Sequence, residues 1–250
     1  MKNYPPILEA NPIRQQAAEK AWQLFLKEYN LPEVEPDFEP ILYTPRELPK
    51  DLADRIVLNS TDSILDGIKA KEILQNFTVN LRTVLYGGFY DNLLNIEDII
   101  LDSFDGGVCG SFYRAFYKQT SYPFSISNNY GKLSFILGKD GKLLAMRSNL
   151  IPLVDLPTQG SIEPETLIEQ LIGREFAYSD FSGNEQIYKV TRCEDIEDIE
   201  DKNLVVYPKL DDDKLIFHLA YMVGVGKGKW TVYFDGITGE EIDITQNFSK

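Results

Sequence analysis

Apolar positions along the chain follow a helical period in its first part and a strand period later. Asn11-Pro12 has the form of a helix start, a capping residue followed by proline at the first helical position. Ala18, Trp22, Phe25, Leu26 and Tyr29 then recur on one stripe, which predicts a helix over about 12–29. A second stripe, Ile73, Phe77, Leu81, Val84 and Leu85, predicts a helix between Asp62-Ser63, with Asp62 as cap, and the stop at Gly87-Gly88. The β-branched Thr78, Val79 and Thr83 leave open a helix to about 76 followed by a strand. "DNLLNIEDIILDSF" (91–104) predicts a short helix. Between the two stripes, Pro32, Pro36, Pro40, Pro45 and Pro49 forbid helix and central strand, so 31–50 is expected to be an extended strap.

After Gly106-Gly107 the period changes. "SFYRAFYKQ" (111–119), "KLSFILG" (132–138) and "KLLAMRSNL" (142–150) are short, aromatic and β-prone, and turn signals separate them. Asn128-Asn129-Tyr130-Gly131 is one turn, and Lys139-Asp140-Gly141-Lys142 is a D-G hairpin. Helical spacing returns over 161–176, with Ser161, Pro164 and Glu165 at its start and Leu167, Ile168, Leu171 and Ile172 as the buried face. Further strands are expected near 186–193, 203–208, 214–225 and 229–235. In "KLIFHLAYMVGVG", Leu215, Phe217, Leu219 and Tyr221 share one face and Ile216, His218, Ala220 and Met222 the other. In "KWTVYFD", Trp230, Val232 and Phe234 oppose Thr231, Tyr233 and Asp235. Gly224-Val225-Gly226-Lys227-Gly228 links the two strands, and Asp235-Gly236-Ile237-Thr238-Gly239 is a turn. The sum is an α+β chain: a helical region over 1–104 with the strap at 31–50, a β region over 105–160, and an α+β region over 161–250 in which a helix packs on antiparallel strands.

Composition narrows the chemistry. The 250 residues exceed the roughly 100–200 of one ordinary domain. The formal net charge of −14 repels phosphate backbones, which argues against nucleic acid and favours a protein partner. No apolar run approaches the roughly 20 residues of a membrane span. The first residues carry no signal-peptide-like hydrophobic segment, so the expectation is a cytoplasmic location by default, or an exported protein whose start was trimmed. Cys109 and Cys193 are too few for a disulfide scaffold, and two reduced thiols are expected.

"GGVCGSFYRAF" (106–116) is similar to the nucleophile segment of papain-like proteases, but Phe112 stands where their catalytic cysteine would be and Cys109 matches only a disulfide cysteine. A hydrolase using Cys109 with His218, the only histidine, needs the imidazole within hydrogen-bond reach of the thiol, and nothing in the sequence points it there. Asp211-Asp212-Asp213 and the group Asp235, Glu240 and Glu241 lack the spacing of a calcium loop and fit solvated turns. The acidic run 194–201 fits a solvated loop, and "GVGKGK" (224–229) lacks phosphate-loop spacing. No metal and no cofactor is expected.

"WTVYFDGITGEEI" resembles the closing signature of the PepSY and fungalysin/thermolysin-type propeptide families, an aromatic-rich strand followed by a D-x-x-T-G-E turn. "NLVVYPKLDDDKLIFHLAYMV" is similar to the strands preceding it there. "RAFYKQTSYPF" with "KLSFILGKDGKLLAMRSNLIPLVDLP" resembles the first half of such propeptides, and "SIEPETLIEQLI" occupies the place of the helix that begins the PepSY unit. The resemblance spans about 105–245. It departs at Tyr113-Arg114, where a His-x-Arg is usual, at the shortened loop Ser121-Tyr122-Pro123-Phe124, and in the lack of any H-E-x-x-H. It implies a free-standing, non-enzymatic propeptide-like protein that inhibits or assists folding of a partner, such as a metalloprotease. Its C-terminal hairpins would present an edge strand or aromatic patch carrying Tyr221, Trp230, Tyr233 and Asp235. The alternatives are the Cys109/His218 hydrolase and a structural or assembly protein.

Overall fold

A computed structural model describes residues 4–59, 64–86, 96–106, 110–179, 184–197, 199 and 203–247. The fold is α+β, and the chain divides into two compact units.

The first unit comprises Ile7–Val154 with Leu210–Ile216. It contains β1 (Ile7–Glu9), α1 (Pro12–Glu28), β2 (Asp37–Phe38), β3 (Pro45–Glu47), α2 (Gly67–Asn80), α3 (Arg82–Leu85), β4 (Ile99–Asp105), β5 (Phe112–Gln119), β6 (Ser125–Ile126), β7 (Lys132–Gly138) and β8 (Leu143–Ser148). Its main sheet has the order β2-β3-β8-β7-β5-β4. Strand alternation puts Tyr113, Ala115, Tyr117, Leu133, Phe135 and Leu137 on one face, in one buried cluster with Trp22, Phe25 and Leu26 of α1 and Leu74 and Phe77 of α2. That is the helix-on-sheet arrangement in which each element's apolar side buries the other's. Asn11 caps α1 as expected, its Oδ1 accepting from the Ile13 and Arg14 N–H groups. The D-G hairpin also forms. Gly141 has φ +82°, and a Cβ there would stand 2.6 Å from the Asn59 carbonyl oxygen, so only glycine fits.

Several expectations are corrected. Asp66 caps α2, its Oδ1 accepting from Lys69 N–H, whereas Asp62 lies outside the described residues. The β-branched residues do not break α2, because Thr78 turns its hydroxyl back to the Leu74 carbonyl inside the core. Residues 91–95 lie outside the described residues. The rest of the helix predicted over 91–104 is mostly β4, which pairs with Arg114 to Gln119 of β5 and keeps Ile100 and Leu101 exposed. Tertiary pairing overrides local pattern here. The Pro-spaced strap supplies β2 and β3 at a sheet edge, where missing N–H donors are tolerated. The division expected at 104/105 runs through the shared core, and the units part instead near 154/155.

The second unit comprises Met1–Pro6, Asp155–Lys209 and Phe217–Lys250. Here α4 (Pro164–Leu171) is followed by β9 (Glu175–Ser179), β10 (Glu185–Lys189), β11 (Leu204–Asp211), β12 (Lys214–Val225), β13 (Trp230–Asp235) and β14 (Glu241–Gln246). The first residues of β12 fall in the first unit, where they pair with β1. The helix predicted to 176 stops at Leu171. Leu167 and Leu171 are buried, Ile172 is exposed, and the chain enters β9. The antiparallel order β14-β13-β12-β11 carries the unit. The face expected for Leu215, Phe217, Leu219 and Tyr221 is fully buried.

Candidate functional site

The turn after β13 organises the second unit. Asp235 is buried, and its Oδ1 accepts from Ile237 N–H at 2.8 Å and Thr238 N–H at 2.9 Å, closing the turn on its own backbone. Gly239, at φ +75°, donates its N–H to the Asp235 carbonyl, and Asp235 N–H donates to the Glu240 carbonyl. Gly236 N–H donates to the Leu219 carbonyl on β12, while its own carbonyl accepts from Ser161 N–H ahead of α4. The D-x-x-T-G-E pattern thus joins two strands and the start of a helix, which explains the residue choices without chemistry.

The second oxygen of Asp235 faces two side chains. Tyr4 hydroxyl donates to Oδ2 at 2.8 Å and accepts from Leu219 N–H at 3.1 Å. His218 Nδ1 lies 2.6 Å from the same oxygen. Burial would raise the Asp235 carboxyl, but the bonds from His218, Thr238, Ile237 and Tyr4 outweigh it and hold the group below the usual carboxylate range. An ionised carboxylate only accepts, so His218 carries a proton on Nδ1. Tyr4 is pushed the other way: burial first, and the neighbouring carboxylate second, raise its hydroxyl far above the ordinary phenol value. Four donors meet the two oxygens of Asp235, and the group is saturated.

The four residues expected to meet a partner are all buried. Trp230 sits within 5.5 Å, centroid to centroid, of Phe176, Tyr178 and Tyr188, and so anchors the β9–β10 hairpin. Tyr233 packs on Tyr207 at 4.3 Å. Tyr221 lies against Gly160, where a Cβ would come within 2.6 Å of its hydroxyl. These side chains shape the sheet from inside, and what they hold at the rim is β14. That strand ends the sheet order, and the N–H of Ile244 donates to the adjacent Asp243 carboxylate rather than to a further strand.

Cys109 lies outside the described residues, so its distance from His218 does not enter. No described residue hydrogen-bonds Nε2 of His218, and Cys193 is an exposed free thiol. Among the described residues no three His, Cys, Asp or Glu side chains gather as a metal site. Glu241, from the acidic turn, pairs with Arg174 instead. No described helix is long and apolar enough to cross a membrane. Sequence reasoning missed Tyr4 altogether, since it reaches Asp235 across 231 positions and carries no local signal. It also missed the His218–Asp235 pair, although alternation had put both on strands of one hairpin.

No family model matches the chain. No curated protein matches it. Among solved structures, the C-terminal domain of Bacillus megaterium YpeB aligns over 97% of this chain and 100% of its own, with a TM-score of 0.30 and 10% identity. A likeness at that level carries no argument about function.

Proposed function

We propose that the chain is a non-enzymatic, propeptide-like binding protein that offers the rim of its C-terminal sheet to a protein partner, inhibiting or assisting the folding of a protease. The observation that carries this reading is β14, an edge strand held in shape by buried aromatics, with the Ile244 N–H met only by a neighbouring side chain. An added strand from a partner would exchange that local bond for a ladder. Glu241 and Asp243 on β14 oppose indiscriminate edge pairing, a property such a surface needs. The test offers the purified chain to a thermolysin-type metalloprotease and, in parallel, to subtilisin. It measures both hydrolysis of casein and recovery of activity after dilution from urea. Slowed hydrolysis or improved recovery with one protease, lost in Ile244→Pro, supports the reading. No effect on either protease removes it.

A further inference from the structure

The outer face of the six-stranded sheet in the first unit carries a cleft of 1160 Å³. One cross-strand row runs through it. Glu47 on β3 pairs with Arg147 on β8, Arg147 with Ser134 on β7, Ser134 with Phe116 on β5, and Phe116 with Ser103 on β4. Phe116 is 46% exposed in the middle of this row. Most of the row is polar, so one large exposed ring there is a place for an apolar group to settle.

The charges around it are unbalanced in an unusual way. Lys118 and Lys132 stand directly opposite each other on β5 and β7. Like charges in that position destabilise a sheet. Lys118 is compensated by Asp102 at 2.8 Å, and nearby Arg147 by Glu47 at 2.8 Å. Lys132 has only the Asn129 amide oxygen at 3.4 Å, and Arg46 has no carboxylate partner among the described residues. The third carboxylate of the cleft, Glu39, is occupied by the Ile41 and Leu42 N–H groups. The four cations and three carboxylates of the lining leave it net positive by one, in a chain whose net charge is −14, and neither Lys132 nor Arg46 forms an ion pair among the described residues. The Ser148 hydroxyl, in a side chain only 5% exposed, borders the same cleft without a partner.

We infer that this cleft binds an extended acidic peptide segment, with a carboxylate between Lys132 and Arg46 and an apolar side chain two positions away, on the same side of the segment, against Phe116. Asp102 offsets only the Lys118 side of the opposed pair, and an anion beside Lys132 would offset the other. The volume exceeds that of most small-ligand pockets and suits several residues of extended chain. This site lies in the first unit and is separate from the β14 rim.

Calorimetric titration of the full chain with a hexapeptide that carries glutamate and leucine two positions apart, with serine between them, tests it. The controls are the same peptide with glutamine or lysine in place of glutamate, and chitohexaose as an uncharged extended ligand. The glutamate peptide is expected to bind at least about tenfold tighter than the glutamine peptide, and to weaken as salt rises from about 50 to about 500 mM. Arg46→Glu combined with Lys132→Glu should lower its affinity by about tenfold or more, and Phe116→Ala by about fivefold. Lys132→Glu replaces a like-charged cross-strand pair with an opposite one, so its thermal midpoint should not fall. Lys69→Glu, an exposed cation on α2, and Ile244→Pro on β14 should leave the affinity unchanged. Equal binding of the glutamine peptide, preference for the lysine peptide, binding of chitohexaose alone, or full affinity in the double variant would each overturn the inference.

Discussion

The two units answer the same problem, covering a twisted antiparallel sheet, by different means. In the first, α1 and α2 lie on one apolar face, its buried Glu39, Thr78 and Gln119 bond to backbone groups, and ion pairs such as Lys118–Asp102 and Arg147–Glu47 stay exposed. In the second, where the helix is short, a single buried carboxylate joins side chains as well as backbone. Asp235 gathers Tyr4, His218 and two backbone N–H groups, and Tyr207 donates to Asp243. The first unit should therefore respond most to lost volume, and the second to loss of its one buried carboxylate and to acid. Burial of apolar area is forgiving of geometry, whereas a buried carboxylate is stable only while every partner is in place.

The largest test is alkaline titration. Burial holds Tyr86, Tyr117 and Tyr122 in the first unit at about 12, and raises Tyr4 and Tyr207 in the second further still. Unfolded tyrosine loses its proton near 10, so above that pH the unfolded chain binds fewer protons and stability falls as pH rises. Absorbance of phenolate at 295 nm should rise together with loss of ellipticity between about pH 10 and 12. Free titration of these tyrosines near pH 10 in folded protein would break the burial assignments.

Phe135→Ala, at the centre of the first core, should lower stability by about 3–5 kcal/mol in urea unfolding. Asp235→Ala removes no comparable apolar volume, yet is expected to cost about 3 kcal/mol by orphaning four donors. If it costs under about 1 kcal/mol, the contrast between the units is lost. The same carboxyl is held below its usual range, so its contribution is present above about pH 4 and disappears as pH falls through the depressed value. Tyr4→Phe should cost about 1–2 kcal/mol and speed amide exchange at Leu219, whose N–H bonds the Tyr4 hydroxyl. Smallest of all, Lys69→Ala breaks an exposed pair with Glu72 and should stay within about 0.5 kcal/mol.

What was legible follows from range. The α1 stripe and cap, the D-G hairpin, β7, and the alternating faces of β12 depend on residues a few positions apart, and all appear in the structure. The helix expected after residue 91 failed because β4 takes its form from partners on β5 that lie nine to twenty positions away. β14 was hidden in a turn signature, since its strand character comes from pairing with β13.

The sequence by itself determined the α+β class, the hairpins and the turn at Asp235, because backbone preferences and short-range hydrogen bonds act within a few residues. Only the tertiary structure decided that the helical first part and the hairpin of 132–148 share one core, that Tyr4 and His218 converge on Asp235, and that Lys118 opposes Lys132 beside an exposed Phe116. Those outcomes depend on strand register and chain return, and no local energy term specifies either.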